Sequence, residues 1–278
     1  MKKILVILIS IICFGGICGI IFNSNFYYSK KLVQAIRAED LNEIESILEK
    51  KPDCVNTYPS ILPREVLYGV FDAGRVNYPL IEACGTDNLE IVKLLVAFGA
   101  DVNCNDGRTP LSITYCGKQE NWYQISVFLI ESGASLNYKT EYSGEYLSVL
   151  EDIIHPKSGE SLPGYIPENS EEVYMAFCYA VGNCNLDKVS WGHVLQDGVS
   201  YNRQKIVKFL LENSYCDVNT VLGEMNILMF AARDANAEMV QLLLEYGADK
   251  DYTTSEGWTA YDFAVQSKNE EIVTLLSN

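Results

Sequence analysis

The sequence predicts an all-α chain of stacked, repeated helix pairs joined through hairpin fingers, and three observations carry that reading. Four segments close alike: Gly99-Ala100-Asp101-Val102-Asn103, Gly133-Ala134-Ser135-Leu136-Asn137, Tyr215-Cys216-Asp217-Val218-Asn219 and Gly247-Ala248-Asp249-Lys250-Asp251. Their starts lie 34, 82 and 32 residues apart, which is one period near 33 with a long middle interval. Before each lies an apolar helix with charges on its other face, such as Leu89–Leu95 or Ala237–Leu244, and before that a shorter first helix.

The N-terminus is set apart from this array. After Lys2 and Lys3 no charge appears until Lys30, and Ile4–Phe22 is a 19-residue apolar stretch. Roughly 20 apolar residues span a bilayer core, so the length fits a membrane-spanning helix; it also fits a long signal peptide. Gly16-Ile17-Cys18 is the best cleavage pattern and a poor one. A lipoprotein site would need a small residue before Cys13 or Cys18, where Ile12 and Ile17 stand. The expectation is an uncleaved hydrophobic helix over 1–23, a linker over 24–29 and a repeat domain over 30–278. The lysine pair then stays in the cytoplasm and the repeats lie outside it, periplasmic or at the cell surface. Secretion after signal cleavage is the alternative. The Met1-Lys2-Lys3-Ile4 start has a bacterial look.

Within the repeat domain, Leu41–Leu48 is a second helix closed by a weaker terminator, Pro52–Asn56. Pro79–Cys84 and Leu89–Leu95 form the next pair, and Thr109–Thr114 opens another. Tyr146–Ile154 reads as a first helix and Arg203–Asn213 as a second. Between them, Tyr179-Ala180-Val181 leading to Leu186–Val189 reads either as a degenerate repeat or as part of a plain insertion. Gly257–Ala264 and Glu270–Leu276 close the chain. Five pairs are visible with a sixth in prospect. Insertions fall near 57–78, around a hairpin-like Phe71–Arg75 turn, and near 155–202. Leu94 and Leu243 are read as buried core positions of their helices.

These motifs resemble the ankyrin-repeat family, with its T-P-L-H first helix, L-E-I-V-x-L-L second helix and G-A-D-V-N turn. Pro79–Asn103 followed by Gly107-Arg108-Thr109-Pro110-Leu111 is the clearest match. The threonine caps the first helix, proline fits its first turn, and the terminator glycine supplies a left-handed residue. The family's histidine is absent: Ile81, Ser112, Met229 and Asp262 stand in its place, which predicts a weaker cap. The resemblance implies a non-enzymatic protein-interaction module with contacts at finger tips and at the ends of first helices. Carried over residue by residue, it marks Asp106, Arg108, Gly85, Thr86, Cys116, Arg233, Asp234, Trp258, Gln266 and Ser267; hot spots favour Trp, Tyr and Arg, so Trp258, Arg108, Arg233 and Tyr252 lead.

Composition bounds the partner. The chain carries 37 acidic and 21 basic residues; without Lys2 and Lys3 the basic count is 19 and the net charge −18. That balance excludes nucleic acid as the ligand and favours a protein with a basic face. Membrane contact is expected through the N-terminal segment only. A scaffold is the first reading; an inhibitor or immunity-type partner that blocks a basic toxin or enzyme is the alternative. No phosphate-binding, zinc or nucleophile motif occurs, so neither catalysis nor a cofactor or metal is expected, and the chain reads as a monomer. Seven cysteines outside the leader, an odd number without a Cys-x-x-Cys pair, read as small buried apolar residues.

Overall fold

The computed structural model describes residues 24–58, 78–106, 108–117, 120–139, 146–154, 171–187 and 189–277. The expected N-terminal hydrophobic helix and most of the 57–78 insertion lie outside these. Among the described residues no helix is long and apolar enough to cross a membrane.

The chain divides into two compact units, residues 1–114 and 115–278. The first holds α1 (helical over 24–37), α2 (Leu41–Lys50), a 3-10 turn (Pro52–Asn56), α3 (Pro79–Gly85) and α4 (Leu89–Ala97). Helix α5 (Pro110–Gly117) crosses the division. The second unit continues with α6 (Trp122–Glu131), a β1–β2 hairpin (Asn137–Lys139, Tyr146–Ser148), α7 (Val149–Ile154), α8 (Glu171–Asn183), α9 (Trp191–Ser200) and α10 (Gln204–Glu212). A second hairpin, β3–β4 (Val221–Leu222, Met225–Asn226), leads to α11 (Ile227–Asp234), α12 (Ala237–Glu245), α13 (Ala260–Ser267) and α14 (Glu270–Ser277).

Seven helix pairs are thus present among the described residues. The extra one corrects the reading of 146–213. Helix α7 packs on α8, and α9 packs on α10, so Tyr146–Ile154 and Arg203–Asn213 belong to different repeats. Helix α8 buries Val173, Ala176, Phe177, Ala180 and Val181, a helical stripe in which alanine and phenylalanine take the places of Leu and Ile between two valines. Gly198 lets α9 meet its partner closely: a Cβ there would lie 3.1 Å from Val207 Cγ2. In the second unit α11 lies between α9 and α13, and α12 packs on α14.

Local chemistry repeats with the architecture. Asp40, Asn88, Asn236 and Asn269 each open a second helix by accepting a backbone N–H three residues on. Asp101, Asp217 and Asp249, with Ser135 in the same place, accept the N–H two residues on and so shape the terminator turn. Asn56 and Asn219 then reach the next terminator: each amide donates to a glycine carbonyl, Gly99 or Gly247, and accepts from the N–H of Asp101 or Asp249. At the corresponding Asn137, the Oδ1 atom is buried without a hydrogen-bond partner.

Three expectations change in detail. The weaker cap does not follow at two of the four histidine positions. Ser112 accepts from the Thr109 N–H at 3.0 Å, and Asp262 accepts from the Thr259 N–H at 2.8 Å, while each threonine hydroxyl accepts in return. Leu94 is half-buried; the fully buried residues of α4 are Ile91, Val92 and Leu95. In the third of the four terminators, Ser214, not Tyr215, occupies the place of Gly99, Gly133 and Gly247. It has φ 56°, and its N–H bonds the carbonyl three residues back as theirs do. Cys216 is therefore an extra residue in that turn. Because an L-residue in the left-handed region costs on the order of 1 kcal/mol, Ser214→Gly should raise stability by up to about that amount, seen as a higher melting temperature.

The Asp262 cap carries a pH signature. Its carboxyl is held below the ordinary range, first by the Thr259 hydroxyl and then by the Thr259 N–H. A lowered folded value means the stabilisation is complete above the unfolded pKa and fades as pH falls through the folded one. Acid titration of Asp262→Asn should therefore show a shallower stability loss below about pH 4 than the unaltered chain.

Candidate functional site

In the first unit, Asp106 is buried (5% exposed) within the finger turn, where its N–H donates to the Arg108 carbonyl; Arg108 is half-buried. Thr86 donates its hydroxyl to the Ala83 carbonyl, a helix-ending bond. Asp106 thus shapes a turn and does not present a free carboxylate surface.

The second unit brings several expected residues to one region. Arg233 and Asp234 end α11 and form a two-pronged pair, Nε to Oδ1 at 2.8 Å and Nη2 to Oδ2 at 2.6 Å. The same guanidinium lies over the Phe230 ring at 5.2 Å and reaches Met225 Sδ at 3.8 Å. Its positive charge is folded down onto its own repeat. Tyr201 lies nearby: burial first, then the carboxylates of Asp197 and Asp234, push its phenol up. On the next helix Ser267 donates to the Ala232 carbonyl at 3.1 Å, so the α11 and α13 ends are tied together. Gln266 is exposed beside it. The Cys116 side chain lies outside what the structure describes.

Trp258 stands at the root of the last finger. Its backbone N–H donates to Thr254 Oγ1 at 3.1 Å and its ring packs against Phe263 at 5.4 Å, leaving it half-buried. Tyr252, also half-buried, precedes this turn. Two residues that sequence reasoning missed sit at finger tips. Glu224 and Glu256 are both exposed, next to Gly223 (φ 63°) and Gly257 (φ 82°), and Ser255 Oγ donates to Glu224 Oε2 at 2.6 Å to join adjacent tips. The Gly-Glu and Glu-Gly dipeptides were the available signal, since a left-handed glycine at a turn places its neighbour in solvent.

A second feature also escaped the sequence reading. The Trp191 and Tyr215 rings meet at a tilt with centroids 4.5 Å apart, and Tyr215 stacks on Phe209 at 5.8 Å. Phe209 in turn meets Phe177 at 6.1 Å and Tyr174 at 6.4 Å. Trp191 and Tyr215 fill places held elsewhere by Pro110 and Ala100.

Among the described cysteines no thiol is shifted downward toward a nucleophile's range. Burial pushes the thiols of Cys54, Cys184 and Cys216 up to about 11 and that of Cys84 to about 12. Six cysteines are free thiols among the described residues. His193 Nδ1 faces Ser190 Oγ at 2.7 Å, which turns it toward its own helix start. Among the described residues no cluster of His, Cys, Asp and Glu could hold a metal ion.

Stacked helix pairs with hairpin fingers define a helical-repeat interaction module, a solenoid that binds other proteins and is generally non-enzymatic. A family model of ankyrin repeats in three copies matches residues 32–140 and 195–278, and the chain belongs to that family. It is 27% identical over 211 residues to the ankyrin repeat and KH domain-containing protein mask-1 of Caenorhabditis elegans, matching 73% of this chain and 7% of that protein. The chain therefore spans a small part of that relative. Among solved structures, the human ASB11 ankyrin repeat domain is 22% identical, with TM-score 0.60, covering 89% of this chain and 97% of that one. EF0377, an ankyrin repeat protein, is 24% identical, with TM-score 0.55, covering 72% and 96%. These likenesses concern the fold.

Proposed function

We propose that this protein is a membrane-tethered or exported scaffold of bacterial type that captures a protein with a basic face. The partner rests on the finger tips and first-helix ends of the C-terminal unit. The observation that carries this reading is the charge arrangement there. Glu224 and Glu256 are exposed at tips joined through Ser255, and Arg233 at the end of α11 is already paired with Asp234. A surface of that sign draws cationic partners and repels anionic ones.

The test is kinetic. Partners captured from native membranes should associate more slowly as salt rises, and Glu224→Gln with Glu256→Gln should reduce both the rate and its salt slope. An association rate indifferent to salt overturns the electrostatic reading. Capture of a single basic toxin-like or enzymatic protein, inhibited on binding, would replace the scaffold with an immunity-type blocker.

A further inference from the structure

The acidity of the chain is not uniform. Residues 24–58 carry five basic against six acidic residues, whereas residues 59–278 carry 14 against 31. Of these basic residues Arg37 pairs with Glu82, while Lys30, Lys31, Lys50 and Lys51 lie on or next to α1 and α2 with Tyr27 and Tyr28. Along α1, Tyr27, Lys30, Lys31 and Gln34 share the exposed stripe, and Tyr27 is 59% exposed. Its ring meets Tyr28 edge-on at 5.4 Å, and Lys50 lies over the Tyr28 ring at 5.9 Å, with Lys51 beside it in sequence. Lys31 is engaged by Glu43, and Glu49 and Asp53 are the exposed acids nearest in sequence to Lys50 and Lys51. Tyr27 and Lys30 are thus exposed on α1, and Lys50 is exposed over the half-buried Tyr28; tyrosine beside lysine is the composition of a membrane–water interface.

Chain length fixes where this face would lie. Tyr27 follows Phe22, the end of the apolar stretch, by five residues. A chain reaches at most about 3.6 Å per residue, so Tyr27 lies within roughly 18 Å of wherever that stretch ends, and closer if the path is helical. If Ile4–Phe22 spans a bilayer, this surface is held at the headgroups.

We propose that the first repeat rests on the bilayer through Tyr27, Tyr28, Lys30, Lys50 and Lys51, with anionic phospholipid headgroups as the ligand. This rests on the tethered reading above. Tyrosine rings settle at headgroup depth, and lysines near an anionic surface gain attraction that dies away over a Debye length.

The test uses the full chain with Tyr27→Trp, reconstituted into nanodiscs of brominated phosphatidylcholine with or without phosphatidylglycerol. Bromine quenches an indole only at close range, and the native tryptophans Trp122, Trp191 and Trp258 supply a constant background. Quenching should be about twofold stronger with the anionic lipid. Combined Lys30→Gln, Lys50→Gln and Lys51→Gln should abolish the difference, and the corresponding Lys→Arg set should keep it. Equal quenching in both lipids, or a glutamine variant that behaves as the parent, overturns the lipid contact while leaving the tether intact. Chain that elutes free of the discs overturns the tether, and this placement with it.

Discussion

Leu243→Ala should destabilise the last repeats by about 2–5 kcal/mol, because it removes a fully buried side chain from between packed helices and leaves a cavity that collapses only partly. Leu243 lies on α12, which packs on α11 and α14. Stability in a repeat array is a sum of each repeat and its neighbour interfaces, so the loss should stay local. Hydrogen exchange should quicken in α11–α14 while α6–α8 keep their protection. If the whole C-terminal unit opens together, the nearest-neighbour description fails. In the first unit the matching change is Leu95→Ala, with Leu94→Ala the milder control because Leu94 is half-buried.

Trp258→Ala should weaken binding of the basic partner by roughly 2 kcal/mol or more if the indole anchors it, since large aromatic residues at the centre of an interface carry a disproportionate share of affinity. The half-burial against Phe263 gives the ring a fixed orientation before the partner arrives. The same geometry offers a competing outcome: an indole that only braces the last finger would lower melting temperature and leave affinity intact. Measuring both on one preparation decides between them. Loss of stability without loss of affinity removes Trp258 from the site.

The repeats most legible in the sequence were those whose terminators and second helices follow the family pattern, such as Leu89–Asn103 and Ala237–Asp251. The period shows because each repeat solves the same problem: an apolar stripe to bury, a helix to end and a turn to shape. The repeat of α7 and α8 was not legible. Its second helix is packed with Ala176, Phe177 and Ala180, and no Asp-Val-Asn turn follows. Its neighbour opens with Trp191 where the family pattern has proline, and one added residue at Cys216 displaced the apparent position of the left-handed residue. Pattern matching aligns letters, whereas the backbone aligns hydrogen bonds. The candidate residues were legible by their positions in the repeat but not by their state. Trp258 precedes α13, and Arg233 and Asp234 end α11. That Arg233 is neutralised by the adjacent carboxylate depends on side-chain geometry, which spacing does not encode.

The asparagine bridges at Asn56 and Asn219 bear on how such a chain can diversify. Each bridge ties one turn to the next at the root of a finger, upstream of the segment that reaches the following first helix. Extra length beyond the root is therefore not transmitted to neighbouring repeats, and doubling a flexible loop costs only about 0.6 kcal/mol in closure entropy. About 16 more residues separate Asn56 from Leu80 than separate Asn103 from Leu111, and the first of those segments begins just past such a bridge. The finger behind an intact asparagine is accordingly the natural place to graft a foreign sequence: recognition can be rewritten there while the pitch of the stack is held by two hydrogen bonds.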